Sequence, residues 1–203
     1  MRSEQVLRRE ENERETFSRI AMGRSAADDA ALVTPAGELQ RYRDIVEGRR
    51  TPLFPIEQMF AWTAPAPGKR ILEICGHHGE FGSLLAQLGA EVDSVDIAPP
   101  LVEMAKRRAQ LNGIEGRLRP QVMSVHEMTF PDGTFDVVFG KAALHHLDLK
   151  LARDEIVRVL KPGGYAVFQE PVALLPFMNR LRALVLIPRD AESPDERPLS
   201  AQD

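Results

Sequence analysis

The sequence has a single cysteine in 203 residues, which rules out an internal disulfide and fits a reducing, cytoplasmic location. It has no surplus of basic charge. Its 26 Lys and Arg against 30 Asp and Glu leave a formal net charge of -4, which argues against a general nucleic-acid binder. Long uninterrupted apolar runs are also missing. The longest apolar stretch, Pro171 to Pro188, carries Asn179, Arg180 and Arg182 in its middle and is too polar to span a bilayer. The opening residues Met1-Arg2-Ser3-Glu4-Gln5 lead into charge rather than an apolar segment, so no signal peptide is expected. Neither C-x-x-C nor H-x-x-x-H spacing occurs. Although Cys75, His77, His78, His126, His145 and His146 could face one crevice, no metal site is expected.

What remains is an ordinary globular composition, 43% hydrophobic and 28% charged, long enough for one domain with a real core. The chain is organised around Ile71-Leu72-Glu73-Ile74-Cys75-Gly76-His77-His78-Gly79-Glu80-Phe81-Gly82. A short apolar run breaks at a Gly/His turn and passes into the helix-forming Ser83-Leu84-Leu85-Ala86-Gln87-Leu88. A strand, a tight turn and a helix N-terminus in that order make a cradle for an anionic group. A second apolar strand, Glu91 to Asp96, ends in an acid 17 positions after Gly79, where a ribose can donate its hydroxyl hydrogens. The dinucleotide fingerprint G-x-G-x-x-G is not matched, since Gly76, Gly79 and Gly82 fall at intervals of three.

Along the rest of the chain, residues 2–22 read as a solvated, charge-alternating helix, followed by a helical patch at Ala26 to Ala31. A helix is expected from Glu38 to Glu47, and a short amphipathic one from Ile56 to Trp62. Strands and helices then alternate, as in a doubly wound, mostly parallel sheet. The strands are Arg70–Cys75, Glu91–Asp96, Arg117–Met123, Phe135–Gly140 and Tyr165–Gln169, and Lys161-Pro162-Gly163-Gly164 is a turn before the last. The helices are Phe81–Leu88, Pro100–Leu111 and Leu151–Leu160. Residues 1–68 form a helical cap, 69–188 the core and 189–203 a polar tail.

The first motif resembles that of the Rossmann-like S-adenosylmethionine-dependent methyltransferases, E/D-x-G-x-G-x-G, with Glu73 at the acid, Gly79 at the last glycine and Asp96 at the ribose-binding acid. Phe130-Pro131-Asp132-Gly133-Thr134-Phe135-Asp136-Val137-Val138, Ala142-Ala143-Leu144-His145-His146-Leu147 and Leu160-Lys161-Pro162-Gly163-Gly164 resemble later motifs of that family, in order. The resemblance runs from about Lys69 to Glu170. It implies a Rossmann-like methyltransferase core, S-adenosylmethionine as cofactor with S-adenosylhomocysteine as product, and a small-molecule methyl acceptor, with no nucleic-acid or membrane partner. It also implies that Glu73 and Gly79, with the backbone of Cys75, Gly76 and His77, hold the amino-acid end of the cofactor. By the same likeness Asp96 takes the ribose and Ile97 packs on the adenine, which Ser124, Val125 and His126 border, while Lys141 lies near the methyl group. His145 and His146 are the general-base candidates, His145 preferred, since neutral imidazole titrates near physiological pH. In relatives of this kind a helical N-terminal segment often helps form the substrate pocket, which makes Tyr42, Phe54, Met59, Phe60 and Trp62 pocket candidates, with a satellite core as the plainer role for most of them.

Cys75 and His77 stand where the family normally has glycine. A Cβ there either forces strain at positive φ, on the order of 1 kcal/mol or more, or intrudes on the methionine end. A relative with weak or no cofactor binding, serving as partner or scaffold, is therefore the alternative, and a nicotinamide-dependent oxidoreductase comes third. Leu174 to Ile187 can supply a helix, but the polar run after Pro188 cannot be a core strand, so the family's C-terminal strand pair is not expected. The fifth strand then forms an edge prone to self-association, unless this is a fragment or the edge is covered by another chain or by the N-terminal helices.

Overall fold

The computed structural model describes residues 2–24 and 29–171. The expected helix 174–187, the tail 189–203 and the question of a C-terminal strand pair lie outside the described residues, as do positions 26–28 of the second helical patch.

The chain forms helices α1 (Glu4–Arg24), α2 (Asp29–Leu32), α3 (Ala36–Val46) and α4 (Pro55–Thr63), then alternates β1 (Arg70–Ile74), α5 (Glu80–Gln87), β2 (Glu91–Asp96), α6 (Pro99–Leu111) and β3 (Leu118–Val122). It continues with β4 (Phe135–Lys141), a 3-10 turn (Leu144–His146), α7 (Leu149–Val159) and β5 (Leu160–Gln169). The five strands make one parallel sheet in the order β3-β2-β1-β4-β5, so the strand order reverses at β1 and β4. The doubly wound, Rossmann-like fold expected from the alternation is the one observed. Side-chain alternation along β1 divides the core between the two faces. Ile71 packs with Tyr42, Phe60, Leu84, Val92, Val137 and Phe139 on one face, while Leu72 and Ile74 pack with Val95, Phe135, Val138, Ile156 and Val159 on the other.

Two expectations are corrected. Lys161 to Gly164 does not precede β5 but bulges within it: Phe135 pairs with Leu160 and Val137 with Tyr165, and Lys161 Nζ donates to Asp136 Oδ1 at 2.8 Å across the irregularity. α1 is a helix but not a solvated one, since it buries Val6, Glu10, Glu13, Thr16 and Ala21. The pocket candidates mostly take the plainer role expected of them. Tyr42, Met59 and Phe60 belong to the main core, whereas Phe54 and Trp62 are 59% and 61% exposed.

α4 starts at Pro55, whose fixed φ suits a first helical turn. The fully buried Glu57 accepts the N–H groups of Leu53 and Phe54 at 2.7 and 3.2 Å, satisfying donors at the helix start. α4 packs against β4 and β5, and the Tyr165 hydroxyl donates to the Trp62 carbonyl at 2.8 Å. Phe60 carries the attachment, its ring 4.3 Å from Tyr42 and 5.6 Å from Phe139, centroid to centroid. Because this ring joins the N-terminal helices to the sheet, Phe60→Ala should lower the unfolding free energy by about 3–5 kcal/mol in urea titrations. Circular dichroism and Trp62 fluorescence should then report one shared transition. Two separate transitions would make residues 1–68 an independent unit.

Candidate active site

The turn after β1 is held in a conformation that its own residues resist. Cys75, His77 and Gly79 have φ of 50°, 51° and 74°. Only glycine takes this region without cost, so Cys75 and His77 carry the strain that their side chains forecast. Hydrogen bonds offset it. The Gly76 N–H donates to the Val95 carbonyl at 3.0 Å, the Gly79 N–H to Gly76 O at 2.9 Å, and the His77 N–H to Asp96 Oδ2 at 2.9 Å.

Beneath the turn, Glu73 is 3% exposed. Its Oε1 accepts from the Gly82 N–H at 2.8 Å and its Oε2 from the Ser94 hydroxyl at 2.6 Å. A Cβ on Gly76 would sit 2.0 Å from Ser94 Oγ, and one on Gly82 2.4 Å from Glu73 Oε2, so the carboxylate occupies a slot that only glycines leave open. Burial pushes the Glu73 pKa up to about 7 against the pull of these two donors. Gly79 packs on Ala105 of α6 and is not among the residues lining the cavity above.

That cavity, about 380 Å³, lies at the C-terminal ends of β1, β2, β3 and β4, where open α/β sheets bind ligands. Of the residues singled out from sequence, Glu73, Cys75, Gly76, His77, Asp96, Ile97, Ser124, Val125, His126, Lys141 and His146 line it. Asp96 ends β2. Its Oδ1 accepts the Ala98 N–H at 2.9 Å while Oδ2 takes that of His77, leaving acceptor capacity on a carboxylate with roughly four such sites. Burial raises its pKa in spite of these backbone donors. Burial likewise pushes the Cys75 thiol well up, which keeps it protonated. Lys141 Nζ stands 4.7 Å from the centre of the Phe81 ring, a cation–π contact at the β4 side.

The paired histidines part company. His145 is buried, its Nδ1 2.8 Å from Glu170 Oε2, and it does not line the cavity. Glu170 also accepts the N–H groups of Ala143 and Leu144 at 2.8 and 2.9 Å, so this pair braces the 3-10 turn. Although burial works to raise it, the Glu170 pKa is held below its ordinary value by His145 and these N–H donors. His146 is the one that lines the cavity, its Nδ1 3.2 Å from Glu13 Oε2.

A helical cap was expected from the sequence, but not which residues it brings to the site. α1 crosses the crevice and adds Glu10, Glu13 and Phe17 to its lining. Glu10 Oε1 accepts from Ser124 Oγ at 2.5 Å and from His126 Nδ1 at 2.7 Å, and Oε2 from Arg2 at 2.5 Å. The Asp148 N–H donates to His126 Nε2 at 2.9 Å, which places the imidazole proton on Nδ1, facing Glu10. Burial works to raise the Glu10 pKa, but the hydrogen bonds from Ser124 and His126, with Arg2, hold it below its ordinary value. Arg9 donates to the carbonyls of His145 and Leu147 at 2.7 and 3.2 Å, and the Phe17 ring stands edge-on to His77 and His146. Among the described residues, no group of three His, Cys, Asp or Glu side chains is placed to hold a metal ion.

The Glu73 slot has a measurable consequence. Its pKa is raised on folding from about 4.5, so the folded chain binds more protons than the unfolded chain between there and about 7. The stabilising contribution of the neutral acid is complete below the lower value and is lost as pH rises through the upper one. Glu73→Gln, whose amide can still accept from Gly82, should flatten this pH dependence at a cost of about 1 kcal/mol or less. Glu73→Ala leaves the Gly82 N–H and the Ser94 hydroxyl without their acceptor and should cost about 2–4 kcal/mol. Urea unfolding of the three proteins from pH 4.5 to 8 measures both effects.

Comparison with known proteins agrees with this geometry. Residues 72–168 match the family model described as "Methyltransferase domain". The chain is 37% identical over 106 residues to a demethylmenaquinone methyltransferase of Thermus thermophilus, covering 50% of this chain and 47% of that protein. It spans about half the length of most of the curated relatives it matches. Among solved structures, the YcgJ protein of Bacillus subtilis superposes with a TM-score of 0.60 at 27% identity, covering 72% of this chain and 62% of that one. The geranyl diphosphate C-methyltransferase of Streptomyces coelicolor, solved with S-adenosyl-L-homocysteine, shares the fold with a TM-score of 0.59 at 16% identity, over 72% and 53% of the two chains. Over residues 72–168 the chain is therefore similar to methyltransferase domains, and its fold is the Rossmann-like one of the solved methyltransferases.

Proposed function

We propose that the protein transfers the methyl group of S-adenosylmethionine to a small-molecule acceptor. The observation that carries this reading is the cavity at the carboxyl ends of the parallel strands, with Asp96 ending β2 beside a turn whose backbone is exposed to the same space. The chemistry of the lining fits the cofactor. Asp96 retains acceptor sites for ribose hydroxyls, the 75–77 backbone borders the amino-acid end, and Ile97, Met123 and Val125 give apolar walls for a flat base. When bound, S-adenosylmethionine supplies an electrophilic methyl group on a sulfonium centre. The chain's own part is to hold and orient the reactants and to exclude water.

His146 is the proton acceptor in this reading, because it lines the cavity while His145 is committed to Glu170. The cover over the site is α1, while α3 and α4 serve as core. Among the described residues no helix is long and apolar enough to cross a membrane. A cytoplasmic location is part of the proposal and rests on the single cysteine.

Isothermal titration with S-adenosylmethionine, S-adenosylhomocysteine and NAD tests the reading, with binding of the first two and not the third expected. Asp96→Ala should weaken S-adenosylhomocysteine by about 1.5–3 kcal/mol through lost charge-assisted bonds, and unchanged affinity would make the ribose assignment wrong. His77→Gly removes a left-handed non-glycine residue, so the unfolding free energy should rise by about 0.5–1 kcal/mol and cofactor affinity should hold or tighten. If affinity instead falls by about tenfold or more, the imidazole is a ligand contact rather than a tolerated intrusion.

A further inference from the structure

We propose that Glu10, carried by the N-terminal helix, selects the base of the bound nucleoside by accepting a hydrogen bond from the exocyclic amino group of adenine. The inference rests on the cofactor reading above and assigns a role to a residue outside the segment that carries the family resemblance.

The layout of the cavity fixes which end is which. Asp96 at β2 is the natural ribose partner, so the two ends of the ligand extend toward β3 on one side and toward β1 and β4 on the other. The β1–β4 end is lined by Lys141, His146 and the strained turn, a setting for charged and reacting groups. The β3 end has the apolar Met123 and Val125 with Ile97 beside them, and its polar side chains are Ser124, His126 and Glu10. A flat, weakly polar base fits that end.

At that end the hydrogen-bond roles are already assigned. Ser124 and His126 both donate to Glu10 Oε1, and His126 cannot reverse its tautomer without losing the Asp148 N–H. Their hydrogens are therefore used in holding the carboxylate. Arg2 donates to Oε2, which leaves roughly one acceptor site of the carboxylate for a ligand. The polar edge of the pocket thus has an acceptor to offer and no side-chain donor. Adenine presents an amino group to such an edge. Hypoxanthine presents a carbonyl oxygen, which would meet the carboxylate with no hydrogen between them.

The test compares S-adenosylhomocysteine with S-inosylhomocysteine, in which that amino group is replaced by oxygen, by calorimetric titration of the full chain and of Glu10→Gln and Glu10→Ala. The wild-type protein should bind the adenosyl ligand about tenfold or more tightly than the inosyl one. Glu10→Gln should bring the two affinities to within about threefold, because its amide can turn NH₂ toward the oxygen, and should improve the inosyl ligand in absolute terms. Glu10→Ala should also narrow the ratio, by weakening the adenosyl ligand. If Glu10 only clasps the helix to the core, both ligands weaken by one factor and the ratio stays at its wild-type value. That result overturns the assignment and leaves the cofactor reading intact. Failure of the wild-type protein to bind S-adenosylhomocysteine overturns the cofactor reading itself.

Discussion

The site depends on two acids, one buried and one half-buried, that accept backbone hydrogens at the foot of one turn. Glu73 reaches up from β1 to the start of α5 and across to Ser94 on β2, while Asp96 reaches from β2 to the His77 N–H. Between them they tie β1, β2 and α5 together beneath a turn in which Cys75 and His77 hold left-handed conformations costing about 1–3 kcal/mol each. Glycine in those places would reach the same shape without help. Here the shape is kept by hydrogen bonding, so the turn is as rigid as the carboxylates beneath it.

The core was legible because parallel strands buried on both faces leave a simple trace. The buried run of β4 could be read from apolar continuity, whereas β2 has only Val92 and Val95 as apolar residues and was placed by its spacing from the glycine turn. Asp96 could be placed because its position depends only on the length of one β-α-β unit. The bulge in β5 could not be read: Pro162-Gly163-Gly164 is turn chemistry, and only the register with β4 shows the chain resuming the same strand afterward. Nor could adjacent histidines be told apart, since which one faces the cavity is set by Glu170, 25 residues away from His145.

α1 was misread for a more general reason. Helical burial is usually recognised by an apolar stripe, and the buried face of α1 contains Glu10 and Glu13 alongside Val6, Thr16 and Ala21. Its binding to the core is a matter of matched charge and hydrogen bonds rather than apolar periodicity. Arg2 and Arg9 serve the same face, the first toward Glu10 and Glu127 and the second toward two carbonyls. A charge-alternating sequence reads the same whether its acids meet water or a half-buried serine and a buried histidine.

The cover over the site is moreover a single piece. α1 is a continuous helix of 21 residues, about 30 Å long, tied to Glu127 by Arg2 just before its start and packed toward its other end on Ala98 and Leu101 of the α6 region. A helix of this length is stiff along its axis, and its side chains touch the cavity at Glu10, Glu13 and Phe17. Glu10, Glu13 and Phe17 thus lie on one rigid element, and a displacement of any one of them carries the other two with it.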